Sequence, residues 1–258
     1  MVLKAVMKKG LVSISFRKLS PEEIVELCVK TGLKYIEWGA DVHLRPENIE
    51  RIKAVKSRCE DRGLIPIGYG SYYNAADDFD KFLPNLEAAC ILGTEYIRIW
   101  GGKTAAYDKA AEDNIGRAVS LAKERGLTVC LECHRWTMTE DHVLAVKVAE
   151  ATGCRLHFQP NPDITFEQNL DALKAMKPHL CACHVFAWEK GNVRLPLRAH
   201  RGQWLEYIAE AGDVPYLMEF VQDDDPINLV RDAGELAFLT GASKAEKICE
   251  NLRLDNCL

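Results

Sequence analysis

Residues 126–134, Gly-Leu-Thr-Val-Cys-Leu-Glu-Cys-His, contain in one stretch the unit that recurs along this chain. A glycine precedes a short apolar run, and polar side chains follow where the run ends. Because glycine readily ends a helix in the left-handed conformation, this order is typical of a helix that leads into a strand. Comparable apolar or β-rich runs make eight in all, at residues 11–16, 35–39, 65–71, 96–102, 128–134, 156–161, 181–188 and 215–220.

Segments with helical periodicity separate these runs. The first begins at Ser20, which offers an N-cap followed by proline and two acidic residues, and Ile24, Leu27 and Cys28 then recur at helical spacing. Parallel strands need a crossover that is normally a helix, so eight such units predict a parallel sheet closed into a barrel. An open doubly wound sheet is the alternative, but the glycine-rich turn of its nucleotide-binding form is missing after the first run.

Length and composition fit one barrel. The chain has 258 residues, is 48% hydrophobic and 28% charged, and carries a net charge of −5. We predict a single α/β domain over residues 1–258, a (β/α)8 TIM barrel with one extra helix after Gly241. The acidity argues against a nucleic-acid partner. No apolar run approaches the ~20 residues of a membrane span, and the N-terminus resembles no signal peptide, so we expect a cytoplasmic protein without a membrane partner. Fold analogy leaves a homo-oligomer open.

The ten cysteines are scattered through apolar segments. We expect most of them to be small buried hydrophobic residues rather than a disulfide framework. Cys130 and Cys133 form a C-x-x-C pattern, but within a strand their side chains point to opposite faces, so they cannot act as a thiol pair.

Four polar side chains stand at the ends of the last four predicted barrel strands, where TIM barrels carry their chemistry. They are Glu132, Gln159, His184 and Glu219. Because successive strands are neighbours in a barrel, these side chains can converge on one point. Each alone is better explained by a salt bridge or a hydrogen bond, but two carboxylates, an amide and an imidazole together favour a divalent cation. The absence of a thiolate favours Mn²⁺, Mg²⁺ or Co²⁺ over a structural zinc site.

Other polar and aromatic side chains near the strand ends are candidates for binding a substrate. They are Glu37, Trp100, Lys103, His134, Asn161, Trp188 and Arg194. Aromatic rings offer apolar walls for the C–H face of a sugar, although they could equally plug the barrel. Residues 189–201 form a basic segment that could grip a phosphate, but the acidic residues 223–225 nearby and the frequency of solvated basic loops count against this.

The chain resembles the xylose isomerase-like TIM barrels, specifically the sugar phosphate isomerase/epimerase family, which includes inosose dehydratases and hydroxypyruvate isomerases. The resemblance covers essentially the whole chain and rests on residues 33–38, 131–134, 184–186 and 216–220. In that family a Glu, an Asp, a His and a second Glu hold a divalent metal, and the two Glu commonly serve as acid and base. The resemblance assigns those roles to Glu132, His184 and Glu219.

This chain departs from the family at two positions. Gln159 stands where the family usually has Asp, which removes a ligand charge, and Pro162 stands where the epimerases tend to have His. His134 could replace that histidine as a polar substrate contact. These departures leave the substrate and the reaction subclass open, including whether the sugar is phosphorylated.

We therefore expect an enzyme, a metal-dependent ketose epimerase or aldose–ketose isomerase that acts on a sugar or sugar phosphate through an enediolate. Glu132 and Glu219 would be both metal ligands and the acid/base pair. The cofactor would be a divalent metal, Mn²⁺ first, with Mg²⁺, Co²⁺ or Zn²⁺ as alternatives. The competing hypotheses are an inosose-type dehydratase and a sugar- or polyol-binding protein that has lost catalysis. A related endonuclease is disfavoured by the acidic charge.

Overall fold

The computed structural model describes the backbone of residues 7–252 and the side chains of residues 7–241. Eight parallel strands close into a barrel in the order β1-β10-β7-β6-β5-β4-β3-β2, which confirms the predicted single-domain TIM barrel. The barrel strands are β1 (Lys9–Val12), β2 (Tyr35–Gly39), β3 (Ile65–Asn74), β4 (Tyr96–Trp100), β5 (Thr128–Glu132), β6 (Arg155–Phe158), β7 (Leu180–Val185) and β10 (Tyr216–Met218).

Eight α-helices surround the barrel. Ser20 forms the predicted N-cap within a capping box, and Gly32 ends the first helix with a φ of 71°. The helices are α1 (Pro21–Thr31), α2 (Ile49–Asp61), α3 (Phe82–Leu92), α4 (Lys109–Glu124), α5 (His142–Thr152), α6 (Phe166–Met176), α7 (Arg201–Ala211) and α8 (Pro226–Leu252). The helix predicted after Gly241 is present as the continuation of α8, and residues 253–258 lie outside the described residues.

Two predicted strands are divided in the structure. The first ends at Val12, and residues 13–16 form a 3₁₀ turn in which the Ser13 hydroxyl accepts a hydrogen bond from Gly39 N at 2.9 Å and lies 3.0 Å from His43 Nδ1. The seventh ends at Val185. It is followed by an antiparallel hairpin of β8 (Ala187–Glu189) and β9 (Val193–Leu195). The hairpin contains the first part of the basic segment 189–201.

Glycines in β3 make room for large side chains inside the barrel. A Cβ added to Gly68 would lie 2.2 Å from the Tyr96 ring, and one added to Gly70 would lie 2.6 Å from Arg98 Nη2. Such approaches are impossible for any residue other than glycine without movement of the neighbour. The pairing of small residues on β3 with large ones on β4 therefore allows a tyrosine and an arginine to lie near the barrel axis.

Among the described residues, no helix combines the length and the apolar character needed to cross a bilayer.

Candidate metal centre and cleft

A layer of ionisable side chains crosses the barrel interior. All of its members are at most 4% exposed: Glu37, Arg98, Glu132, His157, His184 and Glu219. The strand register brings them together. Glu132 lies opposite His157, and Leu217, two residues before Glu219, lies opposite His184. Because alternate residues of a strand face the same side, these side chains all face inward. Charged groups this deeply buried must be paired with one another or bound to a ligand.

Arg98 joins the two carboxylates of one side of this layer. Its Nε donates to Glu37 Oε1 at 2.7 Å, and its Nη1 donates to Glu132 Oε2. Tyr96 donates to Glu37 Oε2 at 2.8 Å, and the Trp100 indole donates to Glu132 Oε2 at 2.8 Å. Burial alone would raise the pKa of Glu37, but the charge of Arg98 together with those of His184 and His157 outweighs burial and holds that pKa well below its usual range.

His184 lies between two carboxylates. Its Nε2 is 3.4 Å from Glu37 Oε2, and its Nδ1 is 3.2 Å from Glu219 Oε2. Burial lowers the pKa of an imidazole, but the charges of Glu219 and Glu37 raise the pKa of His184 to about 10.

The structure brings together three of the four predicted metal ligands. Ligand atoms of Glu132, His184 and Glu219 all lie within 4.8 Å of one another. Gln159 follows β6 directly, and its Nε2 donates to the Cys133 carbonyl at 3.0 Å. This leaves the Gln159 amide oxygen buried and without a hydrogen-bond partner among the described residues.

The orphaned atoms of this region fit a divalent cation. Gln159 Oε1 is buried and has no hydrogen-bond partner within residues 7–241, and His184 Nδ1 and Glu219 Oε2, which are also buried, contact each other at 3.2 Å as an ion pair without forming a hydrogen bond. Buried polar atoms in folded proteins are nearly always satisfied, so an unpaired set in one region indicates a missing partner. Oxygen and imidazole donors without a thiolate suit Mn²⁺ or Mg²⁺.

A cleft of about 820 Å³, counting the space open to solvent, lies beside Gln159 at the mouth of the barrel. Its lining includes Gln159 and three of the residues predicted to bind a substrate, His134, Asn161 and Trp188. The His134 ring stacks on Trp100, with the ring centres 5.1 Å apart and the planes at 17°. The cleft therefore combines apolar ring faces with a few polar groups, as small-molecule sites do.

The remaining candidate substrate residues do not line this cleft. Glu37 is fully buried, and both of its oxygens accept hydrogen bonds inside the protein. Trp100 donates to Glu132, as described above. Lys103 is paired with Asp77 at 2.5 Å, and Arg194 is paired with Asp224 at 2.6 Å. Their charges are thus already matched by carboxylates.

Sequence reasoning missed Arg98 and His157, which are central to the polar layer. Each is an ionisable residue in the middle of an otherwise largely apolar strand, which is a signal that the sequence contains: Tyr-Ile-Arg-Ile-Trp for Arg98 and Arg-Leu-His-Phe for His157. Such residues are rarely buried unless they are paired. Both lie inside their strands, away from the strand ends at which TIM barrels carry their chemistry.

No protein-family model matches the chain, and no curated protein does. Solved structures do. The chain is similar to an L-ribulose 3-epimerase, with 14% identity, a TM-score of 0.75 and coverage of 97% of this chain and 100% of that one. It is also similar to the probable 3-DHS dehydratase involved in petrobactin synthesis from Bacillus anthracis, with 18% identity, a TM-score of 0.71 and coverage of 90% and 99%.

A third similar structure is a xylose isomerase-like TIM barrel protein from Mycobacterium smegmatis in complex with magnesium. It shares 12% identity with a TM-score of 0.65, over 92% of this chain and 98% of that one. These neighbours include an epimerase and a dehydratase, and at such identities the likeness establishes the fold. The resemblance predicted from the sequence is confirmed at that level: the chain has the xylose isomerase-like TIM-barrel fold.

Proposed function

We propose that this protein is a divalent-metal-dependent isomerase or epimerase that acts on a sugar or polyol ketone. The observation that carries the proposal is the convergence of buried ligand atoms of Glu132, His184 and Glu219 within 4.8 Å of one another, together with the unpaired amide oxygen of Gln159, a residue that lines a cleft with aromatic walls. A site built only for stability would satisfy these atoms within the protein.

Glu132, Gln159, His184 and Glu219 would hold the ion, for which Mn²⁺ is our first candidate. When bound, a divalent cation supplies a Lewis acid that polarises the carbonyl and neighbouring hydroxyl of a substrate and so acidifies the C–H bond between them. The amide of Gln159 adds no charge, so the ligand set carries the two negative charges of its glutamates.

Glu132 and Glu219 are suited to different parts of a proton transfer. Glu132 is fixed by Arg98 and Trp100, which both donate to its Oε2, so its orientation is set before a substrate arrives. Glu219 Oε2 lies 3.2 Å from His184 Nδ1 but makes no hydrogen bond, so it can accept a proton from carbon without first breaking one. We assign proton removal to Glu219 and proton return to Glu132, which lies on a strand separated from β10 by β6 and β7.

The charges around the cleft favour an unphosphorylated substrate. Arg135, the arginine in the cleft lining, is paired with Asp163 at 2.7 Å. Arg194 and Lys103, the cations predicted from the sequence to bind a phosphate, lie outside that lining and are bound to Asp224 and Asp77. Arg201, from the same basic segment, is bound to Glu235 at 2.7 Å. Neutral sugars and polyols need hydrogen-bonding groups and ring faces rather than a cation, and the cleft provides both.

The test is solvent-hydrogen exchange. Metal-stripped protein is supplied with Mn²⁺ and incubated in D₂O with a panel of ketoses, aldoses and cyclic polyol ketones, and the products are analysed by NMR. We expect deuterium at the carbon next to the carbonyl, together with an epimer or isomer of the substrate.

Glu219→Gln should reduce exchange by about 10²-fold or more, whereas Glu150→Gln on an exposed face of α5 should not change it. Folded protein that binds Mn²⁺ and sugar but exchanges no hydrogen would overturn the enzymatic proposal.

Dehydration is the second candidate, since one of the similar structures is a probable dehydratase. It begins with the same proton removal and then expels a hydroxyl group from the next carbon. A product lighter by one water molecule, formed from a cyclic polyol ketone in the same assay, would assign the protein to this reaction.

A further inference from the structure

We propose that the barrel contains a second metal site of different chemistry, in which Cys130, His157 and Cys181 bind a thiophilic divalent ion such as Zn²⁺. The ligand atoms of these three residues all lie within 4.8 Å of one another. None of them belongs to the set proposed for the first metal, and the two sulfur ligands distinguish this site from the oxygen-rich one.

A local irregularity of the sheet creates this cluster. The register between β6 and β7 shifts from Leu156 opposite Leu180 to His157 opposite Ala182, so Cys181 is an extra residue on β7. Such a bulge re-aims a side chain. Cys181 packs against the residues of the barrel interior, which include Cys130, whereas Cys183 packs with the outer core. Three neighbouring strands thus each contribute one ligand atom.

An unsatisfied atom independently indicates a ligand here. His157 is fully buried, with its Nδ1 3.2 Å from His184 Nε2 and 3.8 Å from Glu37 Oε2. Its Nε2, on the opposite edge of the ring, has no hydrogen-bond partner in the described part of the chain. A metal bond to Nε2 would satisfy that atom. The other ring nitrogen is held by His184 Nε2 at 3.2 Å, so the orientation of the ring is already fixed by a partner behind it.

The donor set and the access route determine the kind of ion. Two thiolates and an imidazole select Zn²⁺ over Mg²⁺ or Mn²⁺, and a water molecule can complete a tetrahedral shell. Cys181 is partly exposed and lines a cavity at the end of the barrel where the strands begin, together with Tyr35, Tyr96 and Thr128. An ion can therefore enter from the side of the barrel opposite the cleft.

The pair of cysteines in this cluster differs from the C-x-x-C pattern of the sequence. Cys133 points out of the barrel, where its sulfur lies 3.9 Å from that of Met176. Cys130 instead meets Cys181 from a strand two positions away in the barrel. Sequence spacing gave no indication of this encounter, because it depends on the bulge in β7.

Cobalt distinguishes the two sites, because Co²⁺ bound to thiolate has an intense near-ultraviolet charge-transfer band that oxygen and nitrogen ligands do not produce. Co²⁺ is titrated into reduced, metal-stripped protein. We expect the band to grow to saturation at one equivalent per chain and to disappear when Zn²⁺ is added. Cys181→Ala and Cys130→Ala should each abolish most of the band. Cys183→Ala, a matched change on the same strand, should retain it, and so should Glu219→Gln at the other site.

The unfolding temperature provides a second test, which applies even where a variant folds poorly. Because Zn²⁺ can also occupy the first site, the comparison is one of size: Zn²⁺ should raise the unfolding temperature of the wild-type protein and of Cys183→Ala more than that of Cys181→Ser. The proposal is overturned if Co²⁺ gives no thiolate band, or if the band survives in both cysteine variants. It is also overturned if Cys130 and Cys181 cannot be kept reduced and mass spectrometry shows a disulfide between them in place of bound metal.

Discussion

The polar side chains of the barrel interior form two halves that are bonded differently. In the paired half, direct hydrogen bonds join Glu37, Tyr96, Arg98 and Glu132, although Arg98 Nη2 has no hydrogen-bond partner among the described residues. In the unpaired half, Gln159, His184 and Glu219 each retain a buried atom outside the hydrogen-bond network, although His184 Nδ1 and Glu219 Oε2 lie 3.2 Å apart as an ion pair. Burial alone therefore does not identify a binding site. The paired half is a structural support, and the unpaired half is arranged to receive a ligand.

The largest effect should come from breaking the paired half at its centre. Replacing Arg98 with methionine leaves the Glu37 and Glu132 carboxylates buried without their cation. Removing one partner of a buried ion pair generally costs about 3–5 kcal/mol, because the remaining charge stays desolvated. We expect Arg98→Met to lower the free energy of unfolding of the metal-free protein by about this amount, measured by urea denaturation.

A surface arginine provides the control for this change. Arg62 is bound to Glu26 at 2.7 Å, but both side chains are more than 30% exposed. Exposed ion pairs contribute about 0–1 kcal/mol, so Arg62→Met should have little effect. If the two variants lose equal stability, Arg98 does not support the layer and the distinction between the two halves fails.

The pH dependence of this loss should follow the ionisation of Glu37. The folded-state pKa of Glu37 is lowered well below its usual range, so its ionised form stabilises the wild-type protein above the ordinary glutamate pKa, and this contribution is lost as pH falls through the folded pKa. The groups that face Glu37 are Arg98, Tyr96, His157 and His184.

In Arg98→Met, Glu37 stays buried but loses the cation that does most to lower its pKa, so Glu37 becomes easier to protonate. The stability gap between wild type and variant should therefore narrow as pH falls, by about 1.4 kcal/mol for each pH unit below the Glu37 pKa of the variant, until the lower Glu37 pKa of the wild type is reached. Urea denaturation at several pH values measures the gap. A gap that stays constant with pH would show that lost packing, not lost charge pairing, explains the variant.

A smaller effect should come from the glycine that makes room for the arginine. A Cβ at Gly70 would lie 2.6 Å from Arg98 Nη2 and 3.1 Å from Glu37 Oε1. Overpacking of this kind typically costs about 1–3 kcal/mol. We expect Gly70→Ala to be destabilised within that range. Gly116→Ala is the matched control, because its Cβ would meet nothing within 4 Å in helix α4 and should stabilise the helix by about 0.5–1 kcal/mol.

The barrel could be predicted from the sequence because its signals are local and repeated. Ser20 and Gly32 mark the ends of a helix without reference to any distant residue, and the capping box and the left-handed glycine are both present in the structure. The divided first and seventh strands could not be predicted in the same way. The first ends where the Ser13 hydroxyl bonds to Gly39, which is a tertiary contact.

The candidate site was only partly predictable for the same reason. The convergence of Glu132, His184 and Glu219 follows from strand order alone, and the structure places their ligand atoms close together. The role of Arg98 depends on Gly70 of the neighbouring strand, which leaves the space that the guanidinium fills. The bulge that turns Cys181 inward is likewise a property of strand pairing, which no local pattern reveals.

The smallest effect on stability should come from the unpaired half. Gln159→Met keeps the approximate shape of the side chain and removes an oxygen that has no partner, as well as one hydrogen bond from Nε2 to the Cys133 carbonyl. A single such bond contributes about 1 kcal/mol, so the metal-free variant should lose no more than this.

The stabilisation of the folded protein by Mn²⁺ should change more. If Gln159 is a ligand, a tenfold weaker affinity lowers the stabilisation at saturating Mn²⁺ by about 1.4 kcal/mol. Gln203→Met, away from the proposed ligands, should respond to Mn²⁺ as the wild type does. Equal stabilisation of all three proteins by Mn²⁺ would remove Gln159 from the ligand set and leave its unpaired oxygen without an explanation.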